Sequence, residues 1–229
     1  MVDERQFLKR ARDLAKGSWQ DRGDGRFWID HRTLGDDDVA ALSGARDLTL
    51  WNVRLPPGSL ARLSSLEILD LRGGSAASLA ELVDAQRLRA LVINQIRGLT
   101  DINAISQLSE LEYLSLYGCP RIGSLPSLLG LTKLRRVELG QMKNLADISP
   151  LLGASALEEL LFVKRLAVRV DDIRPLLGHP TLRTFDWFWE DVPASQAMPV
   201  LEALALPRTR VMFPAEWLAQ QDQPAVGGG

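Results

Sequence analysis

The sequence predicts an α/β solenoid: strand-plus-return units stacked end to end, with a curved parallel sheet on the concave side and short helical or 3-10 return segments. Two observations lead there. A phrase with apolar residues at its first, fourth and sixth places recurs as Leu66–Leu71, Leu88–Ile93, Leu111–Leu116, Leu134–Leu139 and Leu157–Phe162, its starts 22, 23, 23 and 23 residues apart. Inside the returns a second phrase repeats: Leu99-Thr-Asp101-Ile102 is echoed by Leu145-Ala-Asp147-Ile148 and by Val170-Asp-Asp172-Ile173. A fixed period of about 20–29 residues marks units that cannot bury their apolar faces alone and must stack to do so.

The elements follow in order. Over residues 3–16, Phe7, Leu8, Ala11, Leu14 and Ala15 fall at helical spacing and Gly17 is a stop, so 1–23 reads as a capping helix and linker. Residues 24–212 form the solenoid. Degenerate copies at Asp24–Ile29 and Ala45–Leu50 precede the strong ones, and Leu182–Trp187 and Leu206–Val211 follow them. Phe213 to Gln220 reads as a C-terminal cap tucked against the final repeat, and 221–229, which lose all periodicity, as a disordered tail. Asp101, Asp147 and Asp172 sit where a carboxylate accepts backbone N–H groups opening a helical turn, and Ser124 ahead of Pro126 is expected to do the same.

The period and phrase are those of a leucine-rich repeat, and the run Asn94-Gln-Ile96 through Leu99-Thr-Asp-Ile102, Ile105, Leu108 and Leu111 resembles the internalin-type repeat of bacterial proteins. It is also similar to the leucine-rich regulatory subunits of protein phosphatases. The resemblance implies a right-handed curved solenoid that works by binding another protein. It departs at the ninth position, where an asparagine usually ladders along the turns. Here Val53, Gly74, Ile96, Cys119, Met142, Arg165 and Glu190 stand there, so the turns must satisfy their backbone groups otherwise. Irregular curvature is the expected result.

Composition narrows the partners. Lys and Arg number 27 against 29 Asp and Glu, leaving no basic excess to grip nucleic acid. No apolar run is long enough to span a membrane, and the first residues lack a signal-peptide core. A single cysteine, Cys119, leaves no intrachain disulfide. These features predict a cytoplasmic protein, monomeric when unbound, and arginine-dominated basic residues with abundant alanine suit a GC-rich bacterial genome.

Chemistry is sparse. Cys119 needs a nearby base to act as a nucleophile, and His31 and His179 belong to repeats at opposite ends. As a small buried hydrophobe Cys119 suits the ninth repeat position. Neither histidine has a metal-ligand partner at short helical spacing, and no phosphate-binding, zinc-protease or serine-hydrolase motif is present. No cofactor, metal or catalytic residue is expected. An enzyme using Cys119 or the carboxylates Asp70, Glu138, Glu159 and Asp186 is the remote alternative.

What remains is the concave face. The third, fifth and seventh places of each phrase alternate with the buried ones and point outward. They place Trp28, Trp51, Asp70, Arg72, Val92, Asn94, Tyr113, Tyr117, Arg136, Glu138, Leu161, Val163, Asp186 and Phe188 on one surface. Aromatics and arginine are enriched where proteins bind one another, so these residues are the expected partner site. A slip of one residue in a degenerate repeat would bury Trp28, and Trp187-Phe188-Trp189 could instead pack a cap. The expected function is non-catalytic recognition of a partner protein, as an immunity or inhibitor protein covering a toxin or enzyme. The alternative is an adaptor or regulatory subunit positioning a partner enzyme.

Overall fold

The computed structural model describes residues 17–223. The helix expected over 3–16 and the end of the expected tail, 224–229, lie outside the described residues. Within them, nine strands form one sheet in chain order: β1 (Trp19–Asp21), β2 (Arg26–Asp30), β3 (Asp47–Trp51), β4 (Ile68–Arg72), β5 (Ala90–Asn94), β6 (Tyr113–Tyr117), β7 (Arg136–Met142), β8 (Glu159–Leu166) and β9 (Thr184–Phe188). From β2 to β9 every neighbouring pair is parallel, and the register aligns the repeated phrases place for place: Ile68 pairs with Ala90, Ala90 with Tyr113, Tyr113 with Arg136 and Arg136 with Glu159. Parallel pairing needs a crossover of a dozen or more residues, and the 21–25-residue period supplies it. The fourth and sixth places of the phrase face inward, which is why Leu69, Leu91, Leu114, Val137 and Leu160 are completely buried. With the leucines of the returns they make one apolar core running from Ile29 to Leu204.

The returns are short helices or 3-10 turns: α1 (Asp36–Ala41), α2 (Ser59–Arg62) and α3 (Val170–Ile173), and turns over Ala80–Asp84, Asn103–Gln107, Ser149–Gly153 and Arg174–Gly178. Asp101 accepts the Asn103 N–H at 3.0 Å, and Asp147 accepts the N–H and hydroxyl of Ser149 at 3.0 and 2.7 Å. Those bonds, the hydroxyl's first, hold the Asp147 carboxyl below its ordinary value. Asp172 caps differently, reaching back to the Arg169 N–H at 2.7 Å. Ser124 opens no turn; it makes an isolated bridge to Asp147 in an otherwise irregular return. Pro126 follows it by two residues where Pro150 follows Asp147 by three, so the extended backbone that proline imposes on its predecessor falls on Leu125, where the turn would begin.

The missing asparagine ladder has a main-chain replacement. The eighth place of successive phrases is left-handed: His31 (φ 48°), Asn52 (51°), Gly73 (62°), Gln95 (57°), Gly118 (68°), Gln141 (51°) and Lys164 (57°). In the first five this turns the N–H onto the seventh-place carbonyl of the next repeat: His31 to Trp51 at 2.8 Å, Asn52 to Arg72 at 2.6 Å, Gly73 to Asn94 at 2.8 Å, Gln95 to Tyr117 at 2.8 Å and Gly118 to Gly140 at 2.9 Å. The ninth-place side chains Ile96, Cys119 and Met142 are thereby released into the core. Each left-handed side chain other than glycine costs roughly 1–2 kcal/mol, which the bond and the buried neighbour offset.

Both ends differ from expectation. Trp19–Asp21, assigned to a linker, is a strand pairing antiparallel with β2 through a turn in which Gly23, Asp24 and Gly25 all take positive φ. At the other end α4 (Ala194–Leu204) closes the core with Ala197, Val200 and Leu204. The strand expected over Leu206–Val211 does not form. Left-handed Ala205 (φ 46°) breaks the direction of the chain, and Pro207 meets β9 through its carbonyl, which accepts the Phe185 N–H at 2.9 Å. The chain then doubles back, and α5 (Pro214–Gln221) packs against β5 in the middle of the sheet. The cap expected at 213–220 is therefore not against the final repeat, and residue 221 belongs to a helix rather than a tail. Among the described residues no helix is long and apolar enough to cross a membrane.

Candidate functional site

The in-register strands bring every residue singled out on the concave face onto three parallel rows. The third-place row runs Arg26, Asp47, Ile68, Ala90, Tyr113, Arg136, Glu159, Thr184; the fifth-place row runs Trp28, Thr49, Asp70, Val92, Ser115, Glu138, Leu161, Asp186. The seventh-place row, at the strand exits, runs Asp30, Trp51, Arg72, Asn94, Tyr117, Gly140, Val163, Phe188.

Over the first two rows, between β9 and β5, lies the chain's own C-terminal segment. The Thr209 hydroxyl donates to Thr184 Oγ1 at 2.7 Å. The Arg210 carbonyl accepts from Arg136 Nη2 at 2.6 Å and the Met212 carbonyl from the Tyr113 hydroxyl at 3.4 Å. The Trp217 indole N–H donates to Glu159 Oε1 at 3.0 Å, and its ring lies 5.8 Å from that of Tyr113. Trp217 and Leu218 pack into an apolar patch made by Ala90, Val92 and Tyr113. Asp222 closes the segment with two bonds to Arg89, at 2.9 and 2.7 Å.

Of the residues expected to be open to a partner, Trp28, Asp70, Leu161 and Asp186 are buried. Val92, Tyr113 and Arg136 are buried too, Arg136 completely, and these three touch the segment. Their side chains do point away from the core, as the alternation requires, but a second layer sits on them. Arg136 survives burial because Nε and Nη2 donate to Glu138 at 3.0 and 2.6 Å and Nη1 donates to Glu159. Burial, with the Glu138 carboxylate beside it, pushes the Tyr113 phenol well above its ordinary value and keeps it a neutral donor.

No family model and no curated protein matches the chain. Among solved structures it is similar to internalin C2 of Listeria monocytogenes, at 22% identity and a TM-score of 0.51 over 78% of this chain and 76% of that one. It is also similar to a leucine-rich-repeat protein of Leptospira interrogans, at 17% identity and a TM-score of 0.49 over 81% of this chain and 60% of that one. The fold is that of a leucine-rich-repeat protein.

In the first repeats the concave face holds a compact charged and aromatic cluster. Trp28 is buried, its ring 6.1 Å from that of Trp51, with the guanidinium groups of Arg22 and Arg72 at 4.7 and 5.7 Å. Arg72 grips the Asp70 carboxylate through Nε at 2.9 Å and Nη2 at 2.6 Å. Burial raises the Asp70 carboxyl against the pull of Arg72. Burial, with Asp70 close by, pushes the Asp47 carboxyl up to about 6 from 3.8.

That shift fixes a pH dependence. Below about pH 3.8 Asp47 is protonated folded and unfolded alike and costs nothing; between 3.8 and about 6 the unfolded chain loses its proton first, and above about 6 the full cost of a buried charge is present. Asp47→Asn is therefore expected to raise stability at neutral pH, by up to about 3 kcal/mol, and to do little in strong acid. Thermal melts at about pH 3.5 and 7.5 check this. An equal effect at both, or a loss at neutral pH, contradicts it.

The third cluster is the open row. Trp51, Asn94, Tyr117 and Val163 are half-buried, Phe188 is 37% exposed, and the Arg72 side chain, held on Asp70, is 11% exposed. The Tyr117 hydroxyl donates to Gln141 Oε1 at 3.0 Å, which holds the ring along the rim. Of Trp187, Phe188 and Trp189 only Trp187 belongs to the core, edge-on to Phe162 at 5.5 Å with its indole N–H on the Lys164 carbonyl at 2.9 Å. Asp186, in the fifth-place row beside it, is buried and accepts the N–H of Trp187 at 2.8 Å.

Cys119 is buried beside the Tyr117 carbonyl, 3.6 Å from its Sγ, and burial pushes its thiol up. His31 pairs with Asp30, and His179 Nδ1 lies 3.4 Å from the Thr181 hydroxyl. Among the described residues no three His, Cys, Asp or Glu side chains cluster as metal ligands.

Sequence reasoning missed Trp217, Asp222 and Arg89. A signal for Arg89 was present: the second place of the phrase alternates in sign as Arg46, Glu67, Arg89, Glu112, Arg135, Glu158. The structure pairs Arg46 with Glu67 at 2.9 Å, Arg89 with Glu112 at 2.6 Å and Arg135 with Glu158 at 2.7 Å.

Proposed function

We propose that the chain is a non-catalytic protein-recognition module that grips a partner protein along the seventh-place row of its concave face, as an immunity or inhibitor protein does when it covers an enzyme or toxin. The supporting observation is that row: Trp51, Arg72, Asn94, Tyr117, Val163 and Phe188 stand on hydrogen-bonded parallel strands and stay partly exposed, whereas Val92, Tyr113, Arg136 and Leu161 in the rows beside them are buried. Spaced by about 4.8 Å per strand, the row spans about 29 Å, the width of an ordinary protein interface. It combines rigid aromatic side chains with an arginine, the types that carry most binding energy. The lone cysteine suits a reducing compartment, and we place the protein in the cytoplasm as a monomer awaiting its partner.

Affinity capture from lysate of the source cells tests the reading. Wild type is expected to hold a partner that the folded Tyr117→Ala/Phe188→Ala variant loses by about 100-fold in Kd. Equal capture by both removes the rim as the site. Adding the purified chain to that partner separates the two roles: an inhibitor abolishes the partner's activity, and an adaptor leaves it intact.

A further inference from the structure

The apolar patch of Ala90, Val92, Tyr113, Trp217 and Leu218 is separate from the leucine core and exists only because the C-terminal segment lies on the sheet. The contacts that seat it are those a separate peptide makes in a groove. Sheet side chains Arg136 and Tyr113 donate to main-chain carbonyls of its extended part, so they read its backbone rather than its sequence. The helical part lays two adjacent apolar side chains on the patch, and the Trp217 indole N–H finds Glu159. Four residues beyond Leu218, about one helical turn, Asp222 meets Arg89 in a two-bond clamp. The leucine core, which closes on α4 through Val200 and Leu204, includes none of residues 207–223.

We propose that the centre of the concave face is a helix-docking site whose resident ligand is the chain's own residues 206–223. The partner segment it fits is an extended stretch leading into a helix that presents a Trp-Leu pair with a carboxylate one turn later. The proposal rests on reading the chain as a protein-binding module and adds the ligand's chemistry. It also adds a control: a partner helix must displace the resident segment, so its apparent affinity is reduced by the fraction of molecules in which the face is open.

The test uses the full chain and a fluorescently labelled peptide of residues 206–223, followed by anisotropy. The peptide is expected to bind the Trp217→Ala chain at least about tenfold more tightly than wild type, because only the variant's face is open. A peptide carrying Trp217→Ala is expected to bind neither, and adding Arg89→Ala to the opened chain is expected to weaken the intact peptide. Asp222→Ala, which breaks an exposed ion pair and leaves the core untouched, provides a second opened chain with a smaller gain. Equal binding to wild type and both opened chains, or no binding to opened chains whose circular dichroism is that of wild type, overturns the proposal. The rim variant Tyr117→Ala/Phe188→Ala is expected to leave peptide affinity unchanged, so failure of the rim as partner site and failure of the docking site are read separately.

Discussion

Arg136→Ala is expected to destabilise the chain by about 3 kcal/mol and to release the C-terminal segment in the same step. The guanidinium is completely buried, lies 5.6 Å over the Tyr113 ring and donates to Glu138, Glu159 and the Arg210 carbonyl. Its removal leaves two carboxylates facing one another with no counter-charge, their side chains only 14% and 24% exposed. Breaking a buried pair from one side costs about 3–5 kcal/mol, and the residual solvent at the glutamates places this case at the lower end. Arg136→Met keeps most of the packing yet is expected to fall nearly as far, since the stranded charges dominate. Replacing Glu138 and Glu159 by leucine as well is expected to recover most of the loss. Urea denaturation reads the stability and Trp217 emission the release; a loss under about 1 kcal/mol would show that solvent already reaches the cluster.

Gly140→Ala carries the second large effect. Gly140 is the seventh place of its repeat, and a Cβ there would lie 2.6 Å from the Tyr117 ring, 2.8 Å from the Val163 carbonyl and 3.0 Å from Val163 Cβ. Its φ is not in the left-handed region, so space and not backbone conformation demands glycine. Val163 cannot retreat, because β8 is hydrogen-bonded to both β7 and β9. Tyr117 is the side chain that must move. A loss of about 2–3 kcal/mol is expected, with a displaced Tyr117 ring on the rim. Gly130→Ala is the control, since its Cβ would meet the Ser106 carbonyl at an ordinary 3.5 Å. Thermal melts in which the two variants fall together would contradict this.

The solenoid was legible because one phrase, repeated, specifies period, strand and register together. A slip of one residue in any strand would expose its leucines, so even the degenerate copies at Arg26 and Thr184 align with their neighbours. The caps at Asp101 and Asp147 were readable for a similarly local reason, a carboxylate two residues ahead of the N–H it accepts. Two misses had visible signals. Gly23-Asp24-Gly25 carries the glycine and aspartate that a tight hairpin turn needs, and it forms one. The alternating charges at the second place announced Arg89.

The covered face had no such signal. Alternation shows which way Tyr113 and Arg136 point, and they do point off the sheet, but it is silent on what lies above them. Leu206–Val211 imitates the repeated phrase without forming a strand, residues 212–223 have no repeat to align, and the seat of the segment depends on contacts as distant as Arg89 with Asp222. In hindsight the neighbourhood of Arg136 held a hint. A guanidinium between Glu138 and Glu159 beside a tyrosine is an arrangement suited to burial, not to an open sheet.

The seating of residues 206–223 is read most directly by nuclear Overhauser contacts of the Trp217 indole in the full chain. Cross-peaks from its ring protons to the Val92 methyl groups and the Tyr113 ring are expected, together with slow exchange of the indole N–H held by Glu159. A Trp217 ring with solvent-like shifts, a fast-exchanging N–H and no contact to Val92 or Tyr113 would mean that the centre of the concave face is open and that its resident ligand does not exist.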